Sequence, residues 1–193
     1  MAEKFAFYGV IVCWWGFALT FWLRKSPPRV RETKRDWKSY FGLLLQAVAY
    51  FMVWYGPLRR GQFAPVSGPQ WYGWVIAAAS VGMAAASAGL VIWSAPCLGK
   101  QWALGAQLVE DHELIEDGPY RFVRNPIYTG MFGLLLATGL ATTRWSALAI
   151  AVVLFALGTW IRIHLEERLL REAFGERFAE YERRVRALIP VPR

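Results

Sequence analysis

Histidine and cysteine are scarce in this 193-residue chain, which has only two of each. His112 and His164 stand apart with no cysteine at ligand spacing, so no metal site is expected. Cys13 and Cys97 fall in or beside different apolar stretches, which argues against a disulfide framework. Acidic residues are also few, 14 against 22 Lys and Arg, for a net charge of +8. An excess of that sign raises the question of nucleic acid. Most of the basic residues instead flank apolar runs, where the positive-inside rule puts them, so nucleic acid is not expected as a partner.

Apolar residues make up 56% of the chain and cluster into long runs, the mark of membrane spans rather than of a soluble core. Five spans fit: Phe5–Leu23, Tyr40–Leu58, Trp71–Ser94, Pro126–Thr143 and Trp145–Ile161. The predicted class is an all-α integral membrane protein, its five transmembrane helices followed by an amphipathic C-terminal helix. The 11 Trp, 8 Tyr and 12 Phe gather near the run ends, as aromatic belts do. The first run is followed, not preceded, by most of its positive charge, so it reads as an uncleaved span with its N-terminus outside. One membrane domain is expected, comprising a three-span region over 1–94 and a catalytic region over 95–193.

Arg24, Lys25, Arg29, Arg31, Lys34, Arg35 and Lys38 crowd the first loop, whereas the turn between the last two spans has only Arg144. The first loop, the segment 95–125 and the C-terminal tail are therefore expected in the cytoplasm. In the third span, Gly82/Ala86 and Ala85/Gly89 are small-xxx-small pairs that would allow close helix packing, and Gln46 in the second reads as an interhelical hydrogen bond. Phe174, Phe178, Tyr181 and Val185 recur at helical spacing among charged residues, which predicts an amphipathic helix ended by Pro190 and Pro192.

Ionisable residues at the edge of a span are costly unless they serve a purpose. Two clusters stand out. Gly118 to Gly130 is a polar, turn-forming stretch between spans, in which Asn125-Pro126 has the form of a helix start. A helix start can also bind a carboxylate. The second cluster, Arg162 to Glu167, holds Arg162 and Glu166 at i, i+4, and Glu167 and Arg171 repeat that spacing. Glu110, Asp111, Glu113, Glu116 and Asp117 form an acidic loop that reads either as a solvated face or as an attractor for a cationic ligand.

Several pieces then follow a familiar order: Leu98-Gly99 with Trp102, His112-x-Leu114-Ile115, Gly118-x-Tyr120, Arg124-Asn125-Pro126-x-Tyr128-x-Gly130, Glu166-Glu167, Phe174-Gly175 with Tyr181 and Arg184-Val185, and Pro190. Together they resemble the isoprenylcysteine carboxyl methyltransferase family and, more distantly, the phospholipid N-methyltransferases. The resemblance covers residues 95–190. It implies S-adenosylmethionine as methyl donor, with S-adenosylhomocysteine as product, in a cytosol-facing pocket. Its cofactor contacts fall on Gln107, His112, Glu113, Leu114, Ile115, Tyr120, Arg124, Asn125, Pro126, Ile127, Tyr128 and Glu166, and its substrate-side arginine on Arg162. The family usually carries Arg-His-Pro where this chain has Arg124-Asn125-Pro126. Asparagine hydrogen-bonds but does not titrate near neutral pH, so this position is expected to orient rather than to act as a base.

The expected reaction is methyl transfer to a lipophilic acceptor drawn from membrane lipid or a prenylated cysteine. Methyl transfer is an in-line displacement governed by proximity and orientation. A carboxylate nucleophile needs no base at pH 7, and Arg162 would orient it. An amine acceptor would draw Glu167 or Tyr128 into proton removal. The catalytic group is thus expected to be Arg162, Glu166, Glu167 and Tyr128. N- or S-methylation, a sterol-type reductase and a non-catalytic packing protein stay open on the residues alone.

Overall fold

In apolar surroundings a backbone must satisfy its own polar groups, and each long apolar run has done so as a helix. The computed structural model describes residues 1–23, 32–61, 63, 68–101, 106–109, 112–142 and 144–189. Trp102, Glu110, Asp111, Thr143, Pro190, Pro192 and the basic residues Arg24 to Arg31, each invoked above, lie outside the described residues. The elements are α1 (Ala2–Trp22), β1 (Glu32–Asp36), α2 (Ser39–Arg60), α3 (Gln70–Leu98), a 3₁₀ turn (Gly99–Gln101), β2 (Ala106–Val109), a second 3₁₀ turn (Gly118–Arg121), α4 (Pro126–Thr142), α5 (Trp145–Phe174) and α6 (Glu176–Arg184).

Among the described residues, four helices, α1, α2, α3 and α5, are long and apolar enough to cross a membrane. The helix at the fourth expected span, α4, is apolar but only 17 residues long, about 25 Å. α3 packs on α1 and α4, and α2 packs on α5. Two apolar clusters fill the bundle. Val10, Ala84 and Leu134 centre one between α1, α3 and α4; Ala49, Leu135, Ala151 and Phe155 centre the other between α2, α4 and α5.

The helical membrane class stands with one addition, and two expectations need correction. β1 and β2 pair antiparallel as a small ribbon, with Asp36 opposite Ala106 and a bulge between Glu32 and Lys34. These two short connectors, one charged and one largely apolar, are too brief to carry a periodic signal and reveal their pairing only once the helix ends bring them together. The ribbon is tied to α2 where Ala106 N–H donates to Ser39 Oγ at 3.1 Å.

The small-residue pairs Gly82/Ala86 and Ala85/Gly89 are exposed, and a Cβ on Gly82 or Gly89 would meet nothing within 4 Å. The close approach lies on the other side of α3, where a Cβ on Gly130 of α4 would come 2.8 Å from the Ser87 carbonyl.

The periodic stretch from Phe174 to Val185 is not one helix. Gly175, at φ +52°, ends α5 and turns the chain into α6, and Val185 is extended. α5 itself runs 30 residues, about 45 Å, well past a hydrocarbon layer of about 30 Å. Its last turns therefore form a platform for polar side chains.

Candidate active site

The ends of α1, α3 and α5 meet the starts of α2 and α4 at one end of the bundle, around a cavity of about 500 Å³. Every sequence-predicted site residue lines it except Pro126, which is buried as the first residue of α4. Gln107 arrives on β2, His112 to Ile115 on an irregular segment, Tyr120 on the second 3₁₀ turn, Arg124 to Tyr128 at the start of α4, and Arg162, Glu166 and Glu167 on α5.

At the centre, the Tyr128 hydroxyl donates to Glu166 Oε1 at 2.6 Å. The Arg162 guanidinium lies 3.9 Å from the same carboxylate and 5.1 Å from the Tyr128 ring centroid. This is an ion pair with a cation–π contact in a site where Arg162 is only 5% exposed. The helical spacing of Arg162 and Glu166 has thus become a real contact, made from α5 toward α4.

The Glu167–Arg171 spacing has not. Arg171 pairs with Glu182, and Glu167 turns to Arg124 instead. Arg124 grips Glu167 in a two-pronged fork, Nε to Oε1 at 2.9 Å and Nη2 to Oε2 at 3.0 Å. Asn125 Nδ2 donates to the same Oε1 at 3.2 Å. The assembly extends into the C-terminal segment. Arg124 N–H donates to the Arg186 carbonyl, Asn125 N–H to that of Ala187, and Thr129 Oγ to that of Leu188. Asn125 Nδ2 also reaches the Ala187 carbonyl at 3.2 Å, so its amide ties the strap to α5.

The water-facing wall is held from α6. Leu114 packs with Phe178, Tyr181 and Val185, and the Tyr181 hydroxyl donates to the Tyr120 carbonyl at 2.7 Å. Burial holds the Tyr181 phenol well above its ordinary value, which keeps it a neutral donor. In the acidic loop, Glu116 is engaged by Arg184 at 2.7 Å and by Arg177. Glu113 lines the cavity, its N–H donating to Gln101 Oε1.

Sequence reasoning missed the apolar wall formed by Phe17, Ala18 and Phe21 of α1, Leu43 of α2, Met131 of α4 and Leu170 of α5. Apolar residues within apolar helices carry no mark distinguishing cavity from lipid. Gln46 does bridge helices as expected, donating to Thr159 Oγ at 2.8 Å and accepting from Arg162 Nη1 at 2.9 Å.

Comparison with known proteins matches this region. The chain is 34% identical over 86 residues to a protein-S-isoprenylcysteine O-methyltransferase of Schizosaccharomyces pombe, covering 42% of this chain and 35% of the relative. It is 32% identical over 85 residues to protein-S-isoprenylcysteine O-methyltransferase B of Arabidopsis thaliana, covering 42% and 41%. It is also 34% identical over 103 residues to the cobalt-zinc-cadmium resistance protein CzcN of Cupriavidus metallidurans, covering 53% and 47%. The chain thus spans less than half the length of each of these relatives. The family model described as phospholipid methyltransferase matches residues 75–177, from α3 through the start of α6. With more than half of its 193 residues so matched, this integral membrane chain belongs to the phospholipid methyltransferase family.

Proposed function

We propose that the chain is a membrane methyltransferase that transfers a methyl group from S-adenosylmethionine to the carboxylate of a lipophilic acceptor, an S-prenylated cysteine being the type substrate. The observation that carries this is the convergence of Tyr128, Arg162 and Glu166 in one cavity lined both by polar residues such as His112 and Glu113 and by apolar ones such as Phe17, Phe21 and Leu43. A donor from water and an acceptor from lipid could meet there.

The residues present suit the donor. Glu113 and Glu166 supply carboxylates for its ammonium and ribose, while Leu114, Ile115 and Ile127 offer an apolar shelf for an aromatic base. When bound, the donor supplies an electrophilic methyl on a sulfonium. Glu166, oriented by the Tyr128 hydroxyl, holds the donor in place. Arg162 orients the acceptor carboxylate toward the methyl carbon with a charge-assisted fork. An acceptor carboxylate is already ionised at neutral pH, so no residue would have to move a proton. Glu167, Arg124 and Asn125 act as a clamp that fixes the start of α4. Glu167's engaged oxygens argue against the base role expected for an amine acceptor.

In this account α4 completes a set of five spans, and α6 is an amphipathic helix on the cytoplasmic face. Positive charge favours that orientation: the sequence joining α1 to α2 at the cavity end carries seven basic residues, Arg24, Lys25, Arg29, Arg31, Lys34, Arg35 and Lys38, whereas the opposite end has chiefly Lys4, Arg59, Arg60 and Arg144.

A lipid amine is the second reading, favoured by the description of the family itself. Label transfer from methyl-labelled donor, with N-acetyl-S-farnesylcysteine and phosphatidylethanolamine as acceptors, decides between them. Labelled ester on the thioether-linked lipid is the expected product. Labelled amine would shift the reading, and no transfer to any acceptor would overturn it.

A further inference from the structure

The proposed acceptor arginine does not hold itself in place; α2, which lies outside the family-matched residues, reaches across to it. α2 and α5 cross with their backbones touching. A Cβ on Gly42 would lie 2.6 Å from the Gly158 carbonyl and 2.7 Å from Arg162 Cγ, so the stem of Arg162 lies directly on α2. One turn further along α2, Gln46 is 1% exposed. Its Oε1 accepts from Arg162 Nη1 at 2.9 Å and its Nε2 donates to Thr159 Oγ at 2.8 Å. The orientation of this amide is not arbitrary, since a guanidinium can only donate and the oxygen must therefore face it. Thr159, three residues before Arg162 on α5, holds the other end.

We infer that Gln46 is a positioning and specificity residue: anchored by Thr159, it fixes the Arg162 guanidinium for an anionic acceptor and adds no negative charge to the one that Glu166 already sets 3.9 Å away. This rests on the carboxylate reading above. A carboxylate at 46 would hold Arg162 equally well but would set a second negative charge against it, leaving less for an anionic acceptor. An aliphatic residue would pack in the same space but leave the guanidinium to close on Glu166. A neutral acceptor of hydrogen bonds does neither.

The test uses the full chain in detergent, with N-acetyl-S-farnesylcysteine as acceptor and S-adenosylhomocysteine as calorimetric probe of the donor site. Gln46→Met is expected to raise the acceptor KM about tenfold and to leave affinity for the probe within about twofold. Gln46→Glu should raise that KM further, although it keeps the hydrogen bond. Thr159→Val should shift KM in the same direction by a smaller factor. Combined with Gln46→Met it should add nothing, as expected for residues acting as one unit.

A wild-type KM in Gln46→Met or Gln46→Glu overturns the inference. So does a parallel fall in kcat, probe affinity and thermal midpoint, which marks a purely structural amide. If Gln46 variants do not fold, Thr159→Val decides alone, and a wild-type KM there overturns the inference. If the unaltered protein transfers methyl to the acceptor while the variants match it, only this inference fails. If it transfers none, the carboxylate reading fails and takes this inference with it.

Discussion

Glu166 and Glu167 are adjacent in sequence and both line the cavity, yet they take different partners. Glu166 meets Tyr128 and Arg162; Glu167 meets Arg124 and Asn125, which hold the C-terminal strap. Successive helical residues diverge by about 100°, so a Glu-Glu pair at this point on α5 addresses two neighbourhoods at once. The first neighbourhood is a site with an uncommitted face. The second is a lock in which each carboxylate oxygen is already taken. A charged pair at the edge of a span can thus divide between a cavity and a structural clamp, and the partners distinguish the two residues where sequence does not.

That division can be broken by experiment. Glu166→Ala should reduce methyl transfer about a thousandfold, about 4 kcal/mol of transition-state stabilisation, with little change in thermal midpoint. Equal loss of both would deny the division. Glu167→Ala should act the other way round. It removes the forked partner of a buried guanidinium, Arg124 being 10% exposed at its side chain, and leaves it Glu182 at 3.5 Å and the carbonyls of Glu182 and Val185, a loss of about 2 kcal/mol. The readout is a lower midpoint of thermal unfolding in detergent, with residual activity in the protein that remains folded.

Arg162→Ala sharpens the comparison from the cavity side. It should raise the acceptor KM or abolish turnover while S-adenosylhomocysteine binds nearly as before, which initial-rate kinetics and calorimetry read separately.

The smallest effect is expected at Tyr181. Tyr181→Phe removes one hydrogen bond to the Tyr120 carbonyl, about 1 kcal/mol. Because burial raises this phenol above its ordinary value, its contribution to stability is complete below about pH 10 and is lost as pH rises beyond that. Unfolding midpoints of the wild type and the variant should therefore converge at alkaline pH. Midpoints that stay parallel would contradict the assigned burial.

Much of this was legible in the residues. Helix existence followed from the long apolar runs, and α1, α2 and α3 begin and end within a few residues of expectation. The likeness of the segment 95–190 to a methyltransferase family brought into one list residues that five separate elements carry to one cavity. What stayed hidden has a common cause: it depends on which side of an element faces what. The pairs Gly82/Ala86 and Ala85/Gly89 point outward because α3 turns Ser80, Ala84 and Ser87 toward its neighbours. The cavity wall of Phe17, Ala18 and Leu43 is indistinguishable in sequence from residues facing lipid. The β1–β2 pairing joins segments about seventy positions apart, and Arg124 finds Glu167 rather than a helical neighbour. None of these follows from spacing along one chain segment, because each is a product of packing.

If the cavity shared by Tyr128, Arg162 and Glu166 holds the methyl donor, calorimetric titration with S-adenosylhomocysteine will detect binding by the unaltered protein, at least tenfold weaker in Tyr128→Phe and Glu166→Ala and unchanged in an Arg183→Ala surface control. No binding by the unaltered protein, or the same affinity in all four proteins, would contradict that reading.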